Sequence, residues 1–185
     1  MVKKLAGIFI ALSIFMFSHT AFAQTSGLTL DVPLSFNFEG DVTGSAENVG
    51  GFMLSIAFPF NVGIGYETIV ANGKDETDKV LIKANYTFTD IYLHMMAGSM
   101  NWMFGYGTGT AKAEVSGYAP GTGGLFELEG KATKMFVGLG LQLGSGDNDV
   151  HFIYHAITAE ELLDAQDNPV DLSGNMASIG FKVGL

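Results

Sequence analysis

Apolar and polar residues alternate without interruption along residues 28–38. The even positions are all leucine, valine or phenylalanine, and the odd positions are threonine, aspartate, proline, serine and asparagine. Because successive side chains of a strand point to opposite faces, this pattern predicts a strand with one apolar and one polar face. Tilted by about 40°, a strand of this length rises roughly 28 Å, close to the apolar band of about 25 Å that outer-membrane barrels present to lipid.

Seven further segments carry a similar alternation, so the sequence predicts an antiparallel barrel of eight strands. The predicted strands are 28–38, 51–60, 62–70, 79–89, 91–106, 133–143, 149–157 and 175–185. Long polar connections follow the first, third, fifth and seventh strands, and tight turns follow the second, fourth and sixth. This asymmetry is typical of an outer-membrane barrel whose termini face the periplasm, and an even number of strands leaves no edge unpaired in lipid.

Two of these strands carry more specific expectations. On the fourth strand, the alternation predicts an outward face made of Val80, Ile82, Ala84, Tyr86 and Phe88. Along the fifth strand, the apolar positions change from odd to even numbers. A change of phase needs an extra residue, so a β-bulge is expected at 98–99, with a turn at 89–90 before the strand. The stretch 107–130 after it is expected to be irregular or to extend the two flanking strands beyond the membrane.

The N-terminal residues 1–23 have the pattern of a cleaved signal peptide. Lys3 and Lys4 precede an apolar stretch at 5–17, and Ala21-Phe22-Ala23 is a small-x-small cleavage site. The mature barrel is therefore expected to span 24–185 and to be exported into the bacterial envelope. An uncleaved anchor helix is the alternative, disfavoured by the shortness of the apolar stretch.

Composition agrees with a membrane barrel and excludes several function classes. Hydrophobic residues make up 48% of the chain and charged residues only 15%, yet no apolar run after the N-terminus approaches the roughly 20 residues of a membrane helix. The nine basic residues and 19 acidic residues give a net charge of -10, which argues against a nucleic-acid partner. The absence of cysteine excludes disulfides, thiolate metal sites and a cysteine nucleophile.

The pattern as a whole resembles the small eight-stranded bacterial outer-membrane proteins of the OmpA, OmpX and OmpW type. The resemblance covers about 29–185 and rests on the signal peptide, the eight alternating strands, the loop asymmetry and a terminal strand with Ile179, Phe181, Val183 and Leu185 on one face. It implies an outer-membrane location, contact with lipid and lipopolysaccharide, and insertion by the barrel assembly machinery. In that group the final residue is aromatic, whereas this chain ends in leucine.

Inward-facing charges are the first candidate site. Glu67 and Lys83 are equidistant from the middle of their hairpin, and closing the barrel brings Asp31 near Lys182. Paired charges of this kind form either a structural plug or the selectivity element of a small channel. His151 and His155 also face inward, but they are four residues apart on one strand, and two metal ligands on a strand favour a spacing of two. We therefore predict no metal site and no cofactor.

Two other groups of residues belong to the predicted surface. Aromatic residues near strand ends are expected to form interface girdles: Phe36, Phe38, Phe58, Phe60, Phe88, Trp102, Phe104 and Tyr106. Acidic residues are concentrated in the long connections, where they favour solubility, cation-mediated contact with lipopolysaccharide, or a surface partner.

Three functions stay open at this stage. The favoured one is a structural or surface-interaction barrel, and the alternatives are a small passive channel for polar or apolar solutes and a secreted, lipocalin-like binding barrel. An enzyme is disfavoured because His94 and Ser99 form the only nearby pair of base and nucleophile, without an assigned acid.

Overall fold

The computed structural model describes residues 26–75, 80–117, 125–144, 147–163 and 169–185. The predicted signal peptide lies outside the described residues, as do the acidic loop residues Glu76, Asp78, Asp164 and Asp167. No helix in the described ranges is long and apolar enough to cross a membrane.

Eleven β-strands are present in the described residues. They are β1 (Gly27–Glu39), β2 (Thr43–Ser45), β3 (Asn48–Ala57), β4 (Val62–Asp75), β5 (Val80–Ala97), β6 (Met100–Gly117), β7 (Leu125–Gln142), β8 (Asp149–Thr158), β9 (Leu162–Leu163), β10 (Pro169–Val170) and β11 (Gly174–Gly184).

Eight of these strands close into an antiparallel barrel. Each long strand pairs with its sequence neighbour from β3 to β8, β8 pairs with β11, and β1 pairs with both β11 and β3. The short strands β2, β9 and β10 belong to the connections. The predicted all-β, eight-stranded, up-and-down barrel is therefore confirmed. We call the end with the connections 58–61, 98–99 and 143–148 the turn end, and the opposite end the loop end.

The boundary between the fourth and fifth barrel strands was predicted wrongly. Residues 89–90 lie within the 18-residue strand β5, and the hairpin turn falls at 98–99, where Gly98 has a φ of 65°. The change of phase that predicted a bulge is thus the reversal of the chain itself. Most of the stretch 107–130 extends the two flanking strands, the second of the two expectations for it, because β6 continues to Gly117 and β7 starts at Leu125.

A β-bulge does occur, but in β1. Pro33 pairs with Ser178 and Ser35 with Ala177 on β11, so Leu34 is the extra residue. An extra residue moves the rest of the strand to the other face. Before the bulge the even positions face outward, and after it the even positions Phe36 and Phe38 face inward.

The outer surface near the turn end is an apolar belt. Leucine, isoleucine, phenylalanine, methionine and tyrosine side chains stand exposed there on every barrel strand, with exposed fractions of 53% for Leu30, 57% for Leu141 and 59% for Phe152. Water-soluble proteins rarely expose a contiguous apolar surface of this extent, which argues against the lipocalin-like alternative. The belt is the surface that a lipid bilayer covers.

The interior has two levels with different chemistry. At the level of the belt, the buried side chains include many polar and charged residues. Towards the loop end the interior is apolar and forms one cluster whose larger members are Phe36, Phe38, Ile69, Ile82, Tyr86, Phe88, Leu128, Ile157, Leu162, Leu172 and Met176. At membrane level the barrel is therefore apolar outside and mixed inside, where a smaller apolar cluster lies beside the buried charges: Met53, Tyr92, Met103, Phe136 and Ile153. Near the loop end the inside is apolar and the outside is polar.

Candidate functional site

A buried lysine on β7 is the centre of the polar interior. The Lys134 ammonium pairs with the Glu67 carboxylate of β4, and its Nζ lies 3.0 Å from Asp90 Oδ2 of β5. The same nitrogen lies 5.0 Å from the ring centre of Phe88 and 5.2 Å from that of Phe136, within cation–π range. One cation is thus held by two carboxylates and two aromatic rings from three strands.

The backbone around this lysine leaves room for it. Gly107 of β6 pairs with Lys134, and a Cβ built at Gly107 would collide with Asp90 and Lys134. The close approach of these two side chains therefore requires a glycine at this position.

A second polar group, nearer the turn end, is built around a histidine of β8. His151 Nε2 lies 2.7 Å from Asp31 Oδ1, and His151 Nδ1 lies 2.7 Å from Asp149 Oδ1. Asn101 Nδ2 donates to the other oxygen of Asp149 at 2.9 Å. A histidine ring that meets a carboxylate at each nitrogen is fully satisfied in its imidazolium form, which donates from both sides.

His155 extends the polar group of Lys134 towards β11. Its Nε2 lies 3.0 Å from Ser178 Oγ, and its Nδ1 lies 3.9 Å from Glu67 Oε2. Both His151 and His155 are fully buried, as their inward phase predicts. No group of three or more histidine, aspartate and glutamate side chains in the described residues is arranged to hold a metal ion.

The predicted charge pairs are not the ones that form. Glu67 faces inward as expected, but Lys83 points outward, with 55% of its side chain exposed, and its Nζ lies 4.0 Å from Glu114 Oε2. The prediction failed because Lys83 pairs in register with Asn72, and Glu67 pairs with Phe88, so the hairpin is not symmetric about the presumed centre.

Asp31 and Lys182 are both inside the barrel, at 1% and 5% exposure. Lys182 lies opposite Thr29, however, and Asp31 contacts His151 instead. Lys134, Asp90, Asp149 and Asn101 were not identified from the sequence. For Lys134 and Asp149, the alternation in the predicted strands already indicates an inward-facing side chain. Asp90 falls in the turn predicted at 89–90, so the alternation indicates no face for it.

The aromatic residues divide between the two faces. Phe36, Phe38 and Phe88 are buried in the apolar interior, so their assignment to an interface girdle was wrong. The remaining members lie on the outer surface towards the turn end, where the rings of Phe58 and Phe60 stack at 5.7 Å and those of Trp102 and Phe104 at 6.5 Å. Tyr106 lies in the belt and is 45% exposed.

The connection between β8 and β11 closes over the loop end. We call its described residues, 159–163 and 169–173, the cap. Ala159, Leu162 and Leu172 of the cap are completely buried, and Tyr86 of β5 donates a hydrogen bond of 2.7 Å to the Leu172 carbonyl. Asp41 accepts a hydrogen bond from the Asp171 backbone, so the first connection also holds the cap. The cap therefore covers the apolar cluster.

Acidic side chains rim this end of the barrel. Glu39, Asp41, Glu47, Glu160 and Glu161 are exposed in the first and last connections. The Asn175 amide donates a hydrogen bond to Glu39.

The candidate base and nucleophile do not come together in a reactive arrangement. His94 is buried and donates from Nε2 to the Phe58 carbonyl at 3.1 Å, whereas Ser99 is exposed in the turn after β5.

Comparison with known proteins identifies the fold. No protein-family model matches the chain, and no curated protein matches it in sequence. Among solved structures, Neisserial surface protein A gives a TM-score of 0.59 at 12% identity over 86% of this chain and 97% of that one. Ail, the attachment invasion locus protein of Yersinia pestis, gives a TM-score of 0.55 at 13% identity over 86% of this chain and 99% of that one. A second Ail structure, in complex with the heparin analogue sucrose octasulfate, gives a TM-score of 0.54 at 12% identity, with 86% and 99% covered.

The fold and the apolar belt together define the molecule as a small eight-stranded β-barrel of the outer-membrane type. Its apolar belt is that of a protein embedded in the outer membrane of a Gram-negative bacterium.

Proposed function

We propose that the protein is a closed outer-membrane barrel with a structural and surface-interaction role, not a channel or an enzyme. The observation that carries this proposal is the filling of the interior at two successive levels. At membrane level the space is taken by the ion pairs of Lys134 and His151 together with the smaller apolar cluster beside them, and beyond it by the apolar cluster beneath the cap. Eight strands leave an interior that side chains can fill, so little bore would remain for solute.

The acidic rim supports a role at the cell surface. Carboxylates on the first and last connections give the loop end a negative potential, which favours cationic partners or divalent cations and disfavours anionic ones. Sucrose octasulfate, the ligand in one Ail structure, is highly anionic and is therefore a poor match for this rim. We further propose that residues 1–23 are removed on export.

Reconstitution in planar lipid bilayers tests the closed lumen. The folded mature chain should give no stepwise conductance above the lipid baseline. A general porin, measured in parallel, is the positive control for insertion and should give conductance steps. Reproducible single-channel steps from this protein would overturn the proposal in favour of the small passive channel.

A further inference from the structure

His151 bridges the strands at the seam of the barrel, where the first strand β1 and the last strand β11 close the sheet. In register, Asp31 of β1 lies opposite Gly180 of β11, and Gly180 lies opposite His151 of β8. The 2.7 Å contact between His151 Nε2 and Asp31 Oδ1 therefore passes over β11 and joins its two neighbouring strands. This bridge can form only when all three strands are in place.

Gly180 makes the bridge possible. A Cβ built at Gly180 would collide with Asp31 Oδ1 and His151 Nε2, so any side chain there would separate the two groups. The inward positions of β11 on either side are Ser178 and Lys182. A slip of β1 by two residues keeps every side chain on its face but puts Asp31 opposite Ser178 or Lys182, and the bridge is lost. The bridge therefore distinguishes registers that the alternation treats as equal.

The geometry of the bridge requires a proton on each ring nitrogen of His151. An ionised carboxylate only accepts hydrogen bonds, and the ring meets Asp31 at one nitrogen and Asp149 at the other, each at 2.7 Å. Asn101 donates to the second oxygen of Asp149, so this carboxylate accepts at both oxygens. A neutral imidazole donates from one nitrogen only and would leave one carboxylate facing a lone pair.

The interior around the bridge is short of positive charge. Among the described residues, four buried carboxylates accompany two buried lysines, so a third cation brings the interior closer to neutrality. The four carboxylates are Asp31, Glu67, Asp90 and Asp149. The titratable groups of other strands that interact electrostatically with Asp31 or Asp149, or lie in register with Asp149, are Asp90, Tyr92 and His94 of β5, Lys134 of β7 and Lys182 of β11.

We propose that His151 is a proton-dependent latch of the barrel seam: closing the barrel binds one proton, which His151 holds as an imidazolium between β1 and β8. Below about pH 6.5, where histidine in an unfolded chain is charged, both states bind this proton, and above it only the closed barrel does. The stability that the latch contributes is therefore lost as the pH rises, and for one proton the equilibrium constant for unfolding rises about tenfold per pH unit. The latch requires a closed barrel and is independent of whether the lumen conducts.

Nitrogen-15 NMR of the folded mature chain in detergent micelles tests the proton directly. Residues 24–185 contain three histidines, His94, His151 and His155, so His94→Gln and His155→Gln variants assign the signals by elimination. At about pH 7.5, one unit above the ordinary range of histidine, both ring nitrogens of His151 should carry a proton. One protonated and one bare ring nitrogen would overturn the latch.

Urea unfolding in phospholipid vesicles from about pH 7 to about pH 8.5 tests the coupling to closure. Relative to His151→Gln, the equilibrium constant for unfolding of the wild type should rise about tenfold per pH unit. His155→Gln, on the same strand and equally buried, should keep the wild-type dependence. Gly180→Ala should lose it, because the added Cβ separates Asp31 from His151.

The same pH dependence in the wild type and in His151→Gln would contradict the latch. So would a wild-type dependence in Gly180→Ala, because the bridge needs a glycine at that position. The NMR measurement requires neither variant, so it decides the protonation of His151 even where both fail to fold.

Discussion

Lys134 shows how much one residue contributes to the interior of this barrel. It is completely buried, yet it meets the carboxylates of Glu67 and Asp90 and the faces of Phe88 and Phe136. Breaking a buried ion pair costs far more than forming it gains, because the remaining charges are left without a partner. The stability of the lumen therefore depends on this side chain more than on the exposed lysines.

Lys134→Ala tests that dependence. The loss of the ammonium leaves two buried carboxylates unpaired, so the free energy of unfolding should fall by about 3–5 kcal/mol. Urea unfolding in phospholipid vesicles, followed by gel mobility, measures the change. Lys131→Ala, an exposed lysine three residues away, should stay within about 0.5 kcal/mol of the wild type. Adding Glu67→Gln and Asp90→Asn to the Lys134 variant should restore most of the loss, and similar losses in both lysine variants would contradict the buried pairing.

The strand β5 shows why alternation alone misassigns a face. Its even positions face inward throughout, from Ile82 to His94, but they are apolar in the first half and mostly polar in the second. An apolar face indicates lipid only at the depth of the membrane. Above that depth the apolar face packs inside and the charged face meets water, as in a soluble barrel.

Single-cysteine variants test the orientation of β5, and the chain offers a background without native cysteine. Lys83→Cys should react quickly with a water-soluble maleimide in the folded protein, because its position is exposed. Ile82→Cys, at a position only 2% exposed, should react only after unfolding. Rapid labelling of Ile82→Cys together with slow labelling of Lys83→Cys would contradict this orientation and support the outward-facing Ile82 that the alternation predicts.

At the scale of the whole molecule, the same eight strands form two levels that differ in which face, inner or outer, is apolar. The membrane level is stabilised by lipid outside and ion pairs inside, and the loop end by an apolar cluster beneath the cap. Closure of β1 on β11 joins the first and last strands, so neither level has an open sheet edge at the barrel seam.

Heat-dependent mobility tests this closed membrane barrel. The mature chain, refolded in detergent, should be β-rich by circular dichroism and should change its mobility on SDS gels only after boiling. Its closed sheet resists detergent at room temperature because all barrel strands are paired on both sides. A chain that is soluble without detergent and shows no mobility shift would contradict the membrane barrel and favour a secreted binding barrel.

The sequence by itself determined the number of barrel strands, the closed all-β fold and the inward phase of Glu67, His151 and His155. These features follow from a period of two, which is a local property of the chain. The tertiary structure decided which inward charges meet: His151 bonds Asp31 from a strand 120 residues away, and Glu67 meets Lys134 in place of Lys83. It also decided where along each strand the outer medium changes from lipid to water, and therefore the positions of Phe36, Phe38 and Phe88. Alternation groups residues by face, whereas the register, the bulge in β1 and the closure of the barrel set the depth of each residue and its partners across the lumen.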